Sequence, residues 1–150
     1  MAQRPPRLFV KTVTTLALLL YRATGGRIGG RFGRVQVLLL TTTGRRSGKK
    51  RTAPLGYLEE GGRPVVIASF GGSNVHPAWY LNLVANPDVE VQLRGAPRRP
   101  MRARTASPEE RERLWPRAVE MYAGYAKYQE KTAREIPLVI LESPGEAGRL

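Results

Sequence analysis

The chain has 150 residues, a formal net charge of +13, no cysteine and a single histidine. This length suits one domain with a hydrophobic core, not two. Without cysteine there is no disulfide framework, no thiol nucleophile and no cysteine-based metal site, and one histidine argues against a metal centre.

The positive charge is concentrated in the N-terminal part of the chain. Residues 1–58 contain twelve Lys and Arg and no acidic residue, and the first acid is Glu59. A basic region of this kind attracts anions: nucleic acid, anionic lipid or a small polyanion. A solvent-exposed surface without a binding role would account for the scattered arginines, but it accounts less well for the five cations between Arg45 and Arg51.

The N-terminal segment begins with residues 1–7, a basic leader that we expect to be disordered. The apolar stretch Leu8–Tyr21 follows. It is shorter than the roughly 20 apolar residues that a membrane span needs, and Lys11 interrupts it. We favour a helix that lies on a membrane surface or packs on the domain over a secretion signal. The glycines of residues 23–33 predict a loop.

Six segments have the pattern of β-strands: residues 35–42, 51–58, 64–70, 89–93, 98–105 and 136–142. Pro77 opens a short helix that extends to about Ala85, and Ser107-Pro-Glu-Glu is the start of a second helix with a capping box. Pro116 is expected to interrupt or restart that helix, and the residues after Glu142 to form a frayed tail. The pattern predicts a small β-barrel with helices at its rim.

The most basic element is the turn between the first two strands, within the sequence LTTTGRRSGKKRTAPL of residues 40–55. It places five cations and free backbone N–H groups at one spot: Arg45, Arg46, Lys49, Lys50 and Arg51. Such a turn is suited to binding a small polyanion. It is not an ATP-binding loop, because the GxxxxGK[ST] order is absent.

Aromatic and hydroxyl side chains follow the basic turn in the sequence. Trp79 and Tyr80 on a short helix are typical of a core, but beside an anion site Trp79 is suited to packing against a planar ring. Ser69 is either buried or directed at a ligand, and His76 most simply caps a helix or fills space. Tyrosines at 122, 125 and 128 form either an amphipathic face or a phenol-lined pocket. No catalytic triad or carboxylate dyad is found, so an enzyme would rely on a cofactor.

In combination these residues resemble the deazaflavin (coenzyme F420)-dependent nitroreductase and F420H2-dependent quinone reductase family, over about residues 29–142. The resemblance rests on LTTTGRRSG of residues 40–48 with Arg51 and Pro54-Leu55, Ala68-Ser69 with Gly71-Gly72, Pro77 with WYLNL of residues 79–83, Ala85-Asn-Pro87, Trp115-Pro116, Met121-Tyr122, Tyr125, Tyr128-Gln129 and Ile136-Pro137. It implies a mainly β fold, a split β-barrel like that of FMN-binding pyridoxamine-phosphate oxidases, with about six antiparallel strands, short helices and an N-terminal helix. We expect residues 1–33 to hold the leader, helix and loop, residues 34–143 the barrel, and residues 144–150 a tail.

The resemblance also implies coenzyme F420 as cofactor and a role for each matching residue. Arg45, Arg46 and Arg51, with the hydroxyl of Ser47, would hold the phosphate and glutamyl tail. The deazaflavin ring and its side chain would be lined by Thr52, Ala53, Pro54, Leu55, Gly56, Ile67, Ala68, Ser69, Phe70, Ala78, Trp79, Tyr80, Leu81 and Asn82. Ser69, Tyr122, Tyr125 and Tyr128 would be catalytic, because they would orient the acceptor and assist its protonation.

Two positions depart from the best-known member of the family. Gly56 stands where that protein has tyrosine, which we expect to enlarge the acceptor side of the pocket. Phe70 stands where it has lysine, which removes a positive charge near the coenzyme tail that Lys49 or Lys50 would have to offset.

The resulting prediction is an oxidoreductase that transfers a hydride from reduced F420 to a quinone-like or nitroaromatic acceptor. We expect a cytoplasmic protein that touches the membrane surface through Leu8–Tyr21, since quinones are lipid-soluble. FMN or haem binding by the same fold is one alternative. A basic nucleic-acid-binding module is another; we disfavour it because no such motif is present and the strand that would carry stacking aromatics offers Phe70 alone.

Overall fold

A computed structural model describes residues 7–147, which form a sheet surrounded by helices. In chain order the elements are α1 (Arg7–Thr24), β1 (Arg31–Phe32), β2 (Val35–Thr43), β3 (Lys50–Glu60), β4 (Arg63–Ile67), a 3-10 turn (Phe70–Gly72), α2 (Ala78–Ala85), β5 (Asp88–Gln92), β6 (Arg99–Thr105), α3 (Pro108–Met121), α4 (Gly124–Glu130), β7 (Leu138–Glu142) and α5 (Pro144–Ala147). The predicted leader before residue 7 lies outside the described residues.

Six of the described strands close into an antiparallel barrel in the order β2-β3-β4-β7-β6-β5. The barrel closes because β5 pairs with the middle of β2, where Leu40 lies opposite Val91. The short β1 pairs with the beginning of β2. The predicted fold class, an antiparallel barrel with short helices and an N-terminal helix, is therefore confirmed.

The hydrophobic core has two parts, and β7 shows why. Val139 and Leu141 belong to a cluster with residues of β2, β4, β5 and β6, which fills the barrel. Leu138 and Ile140 point the opposite way and join a second cluster under α3 and α4. Successive strand residues face opposite sides, so all five residues of β7 are buried between the barrel interior and the helices. This second cluster fixes α4 on the outside of the barrel.

A charge network joins α3 to the strands. Arg104 donates two hydrogen bonds to Glu110, at 2.6 and 2.9 Å, and one to Glu142 at 2.9 Å; Arg63 donates to Glu142 at 3.0 Å. The predicted capping box is present, since the N–H of Glu110 donates to the hydroxyl of Ser107 and the N–H of Ser107 donates back to the Glu110 carboxylate. The start of α3 is therefore fixed by local sequence and by long-range ion pairs.

The C-terminal part of α1 packs on the barrel through Tyr21, which is 1% exposed. Its hydroxyl lies 3.1 Å from the carbonyl oxygen of Val37 and 3.2 Å from that of Gln92. Burial raises the pKa of Tyr21 to about 12, so the phenol remains a donor. The helix predicted for Leu8–Tyr21 is thus present, although the side chains of residues 7–14 lie outside the described part. None of the helices that the structure describes is long and apolar enough to cross a membrane.

The strand predicted over residues 64–70 is wrong at its C-terminal end. β4 ends at Ile67, and the chain then turns through Phe70, Gly71 and Gly72, with φ of +46°, +62° and +79°. Three consecutive left-handed residues cannot continue a strand, because a strand needs negative φ. The apolar residues of this segment predicted a strand where the structure has a loop.

Pro116 does not interrupt the helix that begins at Ser107, because α3 continues through it to Met121. A proline inside a helix removes the hydrogen bond to the carbonyl four residues earlier, here that of Glu112; both residues are exposed, so water can satisfy that group. Other predicted boundaries also shift. The predicted loop 23–33 contains β1, the last strand begins at Leu138 instead of residue 136, and the predicted tail contains α5.

Candidate active site

The basic turn between β2 and β3 has a defined backbone. The N–H of Gly44 donates to the carbonyl of Lys49 and the N–H of Gly48 donates to that of Gly44, both at 2.8 Å. Gly48 has φ of +69° and no atom crowds it, so glycine is required there by conformation alone. All five cations of the turn are exposed, and none forms an ion pair with a described carboxylate: Arg45, Arg46, Lys49, Lys50 and Arg51. The turn therefore presents concentrated positive charge to solvent.

Helix α2 holds this turn in place through Asn82. The side chain of Asn82 is 5% exposed. Its Oδ1 accepts a hydrogen bond from the backbone N–H of Arg45 at 3.1 Å, and its Nδ2 donates to the hydroxyl of Thr42 at 3.2 Å. Because a buried amide with both groups satisfied is rigidly held, the turn has a fixed position relative to α2.

A cleft of about 710 Å³ opens between the basic turn and α2. It is lined by Gly44, Arg45, Arg46, Ser47, Arg51, Thr52, Ala53, Pro54, Phe70, Pro77, Ala78, Trp79 and Asn82. The lining combines three arginines with an apolar group made of Trp79 and two prolines. We call this space the coenzyme cleft, after the role expected for its residues. The hydroxyl of Thr52, in this cleft, lies 2.8 Å from the hydroxyl of Thr41 and accepts a hydrogen bond from Arg22 of α1 at 3.3 Å.

A second cleft, of about 360 Å³, adjoins the first and shares Pro54, Phe70, Pro77 and Trp79 with it. Its other lining residues are Leu55, Gly56, Ile67, Ser69, Gly71, Tyr122, Tyr125 and Tyr128. We call it the acceptor cleft. The two clefts are therefore adjacent, with the shared residues between them.

The three tyrosines meet in the acceptor cleft although they do not share a helix. Tyr122 is the C-terminal cap of α3, whereas Tyr125 and Tyr128 lie on α4. The ring centroids of Tyr122 and Tyr125 are 5.1 Å apart in an edge-to-face arrangement, and the hydroxyls of Tyr122 and Tyr128 are 3.3 Å apart. Burial, followed by the two neighbouring phenols, raises the pKa of Tyr125 to about 12. The hydrogen bond between the hydroxyls of Tyr122 and Tyr128 raises the pKa of Tyr128. The last two phenols therefore stay protonated at neutral pH.

The replacement of tyrosine by Gly56 enlarges the acceptor cleft less than expected from the sequence. A Cβ atom at this position would lie 2.7 Å from Cγ1 of Val35 and 3.6 Å from the hydroxyl of Tyr125. Real Cβ atoms do not approach a carbon this closely, so Val35 already takes part of the space that a side chain would fill. Phe70 is 54% exposed and lines both clefts, so an apolar ring stands where the resemblance places a lysine.

The structure brings together most of the residues predicted for the site. Three of them line neither cleft: Ala68, Tyr80 and Leu81. Ala68 is fully buried, and the hydroxyl of Tyr80 lies 3.0 Å from that of Thr105 on β6. Gly44, Gly71 and Pro77 line the clefts without having been predicted. The sequence could have indicated these three residues because each lies next to a predicted site residue.

Comparison with known proteins shows the family of the chain. The profile of the F420H(2)-dependent quinone reductase family matches residues 14–143. The chain belongs to this family. Within it, the F420H(2)-dependent quinone reductase Rv1261c of Mycobacterium tuberculosis is 42% identical over 126 residues, which cover 81% of this chain and 84% of the relative.

Two solved structures are similar to this quinone reductase family member. One is an F420-H2 dependent reductase, FDR-A, with 50% identity and a TM-score of 0.65, covering 71% of this chain and 93% of its own. The other is described as a domain-swapped dimer, with 42% identity and a TM-score of 0.68, covering 92% of this chain and all of its own.

Proposed function

We propose that this quinone reductase family member uses reduced coenzyme F420 to reduce a quinone. The observation that carries the proposal is that the two clefts are adjacent: arginines without a described carboxylate partner line the first, Trp79 and two prolines line both, and three phenols line the second. A flat molecule with a polyanionic tail suits the first lining, and a small planar acceptor suits the second.

In the coenzyme cleft, Arg45, Arg46 and Arg51 would bind the phosphate and glutamyl carboxylates, with Ser47 as a further donor. Guanidinium groups suit this task because each presents several N–H donors in a planar fork. Trp79 and Pro54 would pack on the ring. Bound reduced F420 supplies a hydride from C5 of its deazaflavin ring.

In the acceptor cleft, Ser69 and the three tyrosines would orient the acceptor and supply protons to it. A quinone that gains a hydride becomes an anion unless its oxygens are protonated. Phenols with raised pKa values are hydrogen-bond donors at neutral pH and stabilise such a developing oxyanion. A nitroaromatic molecule has a similar planar shape and two acceptor oxygens, so we propose it as an alternative acceptor.

The test is a fluorescence titration of the protein with oxidised F420, with FMN in parallel. We expect saturable binding of F420, and Arg51→Ala to weaken it by about 1.5–3 kcal/mol, the usual worth of a hydrogen bond to a charged group. Arg99→Ala, an equally exposed arginine on β6 away from both clefts, is the matched control and should leave the affinity unchanged. Binding of FMN but not F420 would overturn the proposed cofactor, and binding of neither would overturn the proposed function.

A face of α1 supports contact with a membrane surface. Leu16, Leu19 and Leu20 lie on one side of the helix, because residues three and four apart are neighbours, and they are 58%, 60% and 39% exposed. The exposed cation Arg22 comes three residues after Leu19 on the same helix, and the exposed Arg27 follows the helix in the chain. An apolar stripe flanked by cations is typical of helices that lie on anionic lipid.

Sedimentation with vesicles tests this contact. We expect binding to vesicles that contain anionic lipid and its loss in Leu19→Glu. Val84→Glu is the matched control, because Val84 is 59% exposed but lies on α2, away from α1. Equal binding by both variants, or no binding by the unmodified protein, would refute membrane contact through this face.

A further inference from the structure

Arg134, in the segment between α4 and β7, donates hydrogen bonds to four acceptors of a single loop. Its Nε donates to the carbonyl of Ser73 at 2.7 Å, its Nη2 to that of Ser69 at 2.8 Å and its Nη1 to that of Ala68 at 3.2 Å. Nη1 also lies 3.2 Å from Nδ1 of His76. Arg134 is half-buried and forms no ion pair with any described carboxylate. Its contacts are therefore directed at the backbone of the loop.

This loop, residues 68–76, contributes Phe70 to the wall between the two clefts. Ser69 lines the acceptor cleft and Phe70 lines both. Phe70 has φ of +46°, a conformation that is strained for a residue with a side chain. Such strain persists where surrounding contacts over-determine it. Gly72 completes the turn, with φ of +79°, and a Cβ there would lie 2.7 Å from the carbonyl oxygen of Tyr128.

We propose that Arg134 is a positioning residue for the acceptor: its guanidinium holds the loop 69–73 so that Ser69 and Phe70 face the three tyrosines. The inference rests on the proposed function for the identity of the acceptor. Arg134 itself lines neither cleft, so it acts through the loop. A lysine at this position has one ammonium group and no planar fork, and it cannot reach acceptors that are spread over residues 68–76.

The neighbouring imidazole is consistent with this arrangement. Burial, and then the charge of Arg134, lower the pKa of His76. A neutral imidazole nitrogen accepts a hydrogen bond from the guanidinium. The other group facing His76 is Tyr80 of α2, whose ring centroid is 4.8 Å away. His76 thus serves as a fourth acceptor for Arg134 and links the loop to the start of α2.

The experiment compares Arg134→Lys with Arg104→Lys. Arg104 is also half-buried and also donates several hydrogen bonds. Its acceptors are the carboxylates of Glu110 and Glu142, which line neither cleft. Both variants should lower Tm. Two binding measurements then distinguish them: binding of F420 by titration, and binding of menadione by quenching of the intrinsic tryptophan fluorescence of the protein without coenzyme. The second measurement needs no turnover.

We expect Arg134→Lys to weaken menadione binding and to lower kcat/KM for the quinone by about tenfold or more, since small displacements of positioning groups have effects of this size. The F420 dissociation constant should stay within about twofold to threefold, because the basic turn is held by Asn82 and not by the loop. Arg104→Lys should leave both affinities as in the unmodified protein.

Wild-type menadione affinity and kinetics in Arg134→Lys would overturn the proposal, and so would an equal loss in Arg104→Lys. Failure of the unmodified protein to bind F420 would overturn the proposed function instead, while the menadione measurement still reports on the loop. Should Arg134→Lys not fold, His76→Ala replaces it, because this change removes a single acceptor. Menadione affinity should then fall severalfold, and an unchanged affinity would refute the inference.

Discussion

Asn82 joins the stability of the fold to the shape of the basic turn, so its truncation should affect both. Asn82→Ala removes two hydrogen bonds, one from the N–H of Arg45 and one to the hydroxyl of Thr42. Each contributes about 0.5–1.5 kcal/mol, so the free energy of unfolding should fall by about 1–3 kcal/mol. In a chain of this size Tm shifts by about 2–4 °C for each kcal/mol.

The same change should weaken coenzyme binding, although Asn82 carries no charge. Without its tether the turn samples several conformations, and the ligand must order it again at a cost in free energy. We expect the F420 dissociation constant to rise by about tenfold, which corresponds to about 1.4 kcal/mol. Urea unfolding followed by circular dichroism gives the stability, and fluorescence titration gives the affinity.

Asn86→Ala is the matched control for this prediction. Asn86 follows α2 and accepts one hydrogen bond, from the N–H of Asp88, and it lines neither cleft. The variant should lose about 1 kcal/mol or less and bind F420 normally. If Asn82→Ala lost stability while its F420 affinity equalled that of the control, the tether would not organise the binding turn and the reasoning would be refuted.

Three further predictions concern charge, backbone and catalysis. The hydrogen bond from Arg104 lowers the pKa of Glu110 from 4.5 to about 2. The lowered pKa stabilises the fold above pH 4.5, and this stability is lost as the pH falls towards 2. Glu110→Gln should therefore make the free energy of unfolding in urea decline less steeply over that pH range, and an unchanged slope would contradict the assignment. Gly72→Ala should lower the Tm of the protein more than Gly71→Ala does. Both glycines have positive φ, but only a Cβ at residue 72 would meet a carbonyl of α4; equal Tm values would disprove this. Tyr125→Phe should lower quinone turnover and leave F420 affinity intact, and the opposite result would exchange the roles of the two clefts.

Local sequence patterns were sufficient where structure depends on neighbouring residues. The capping box of Ser107 and Glu110 gave the start of α3, and the alternation of Val89 and Val91 gave β5. The strand predicted through Phe70 failed because its termination depends on a left-handed turn that Arg134 holds from more than 60 residues away. No periodicity in the sequence contains that information.

The site shows the same division. The cations of the basic turn are contiguous in the sequence and were predicted as a group. The tyrosine cluster was predicted from its spacing, but the spacing argument assumed one helix, whereas Tyr122 ends α3 and Tyr125 belongs to α4. The tether from Asn82 to Arg45 depends on the packing of α2 against the turn, which the sequence does not reveal.

Strand β2 leads into the basic turn and also closes the barrel by pairing with β5. We call the β2–β5 pairing the closing seam. The register joins β2 to β5 at Leu39, Leu40 and Thr41, a shorter ladder than that between β2 and β3. Helix α2, with Trp79, leads directly into β5, so the turn and Trp79 are attached to the two strands that meet at this seam. A ligand gripped by the turn and by Trp79 would bridge the seam, and the backbone amides around it should then exchange their hydrogens with solvent more slowly.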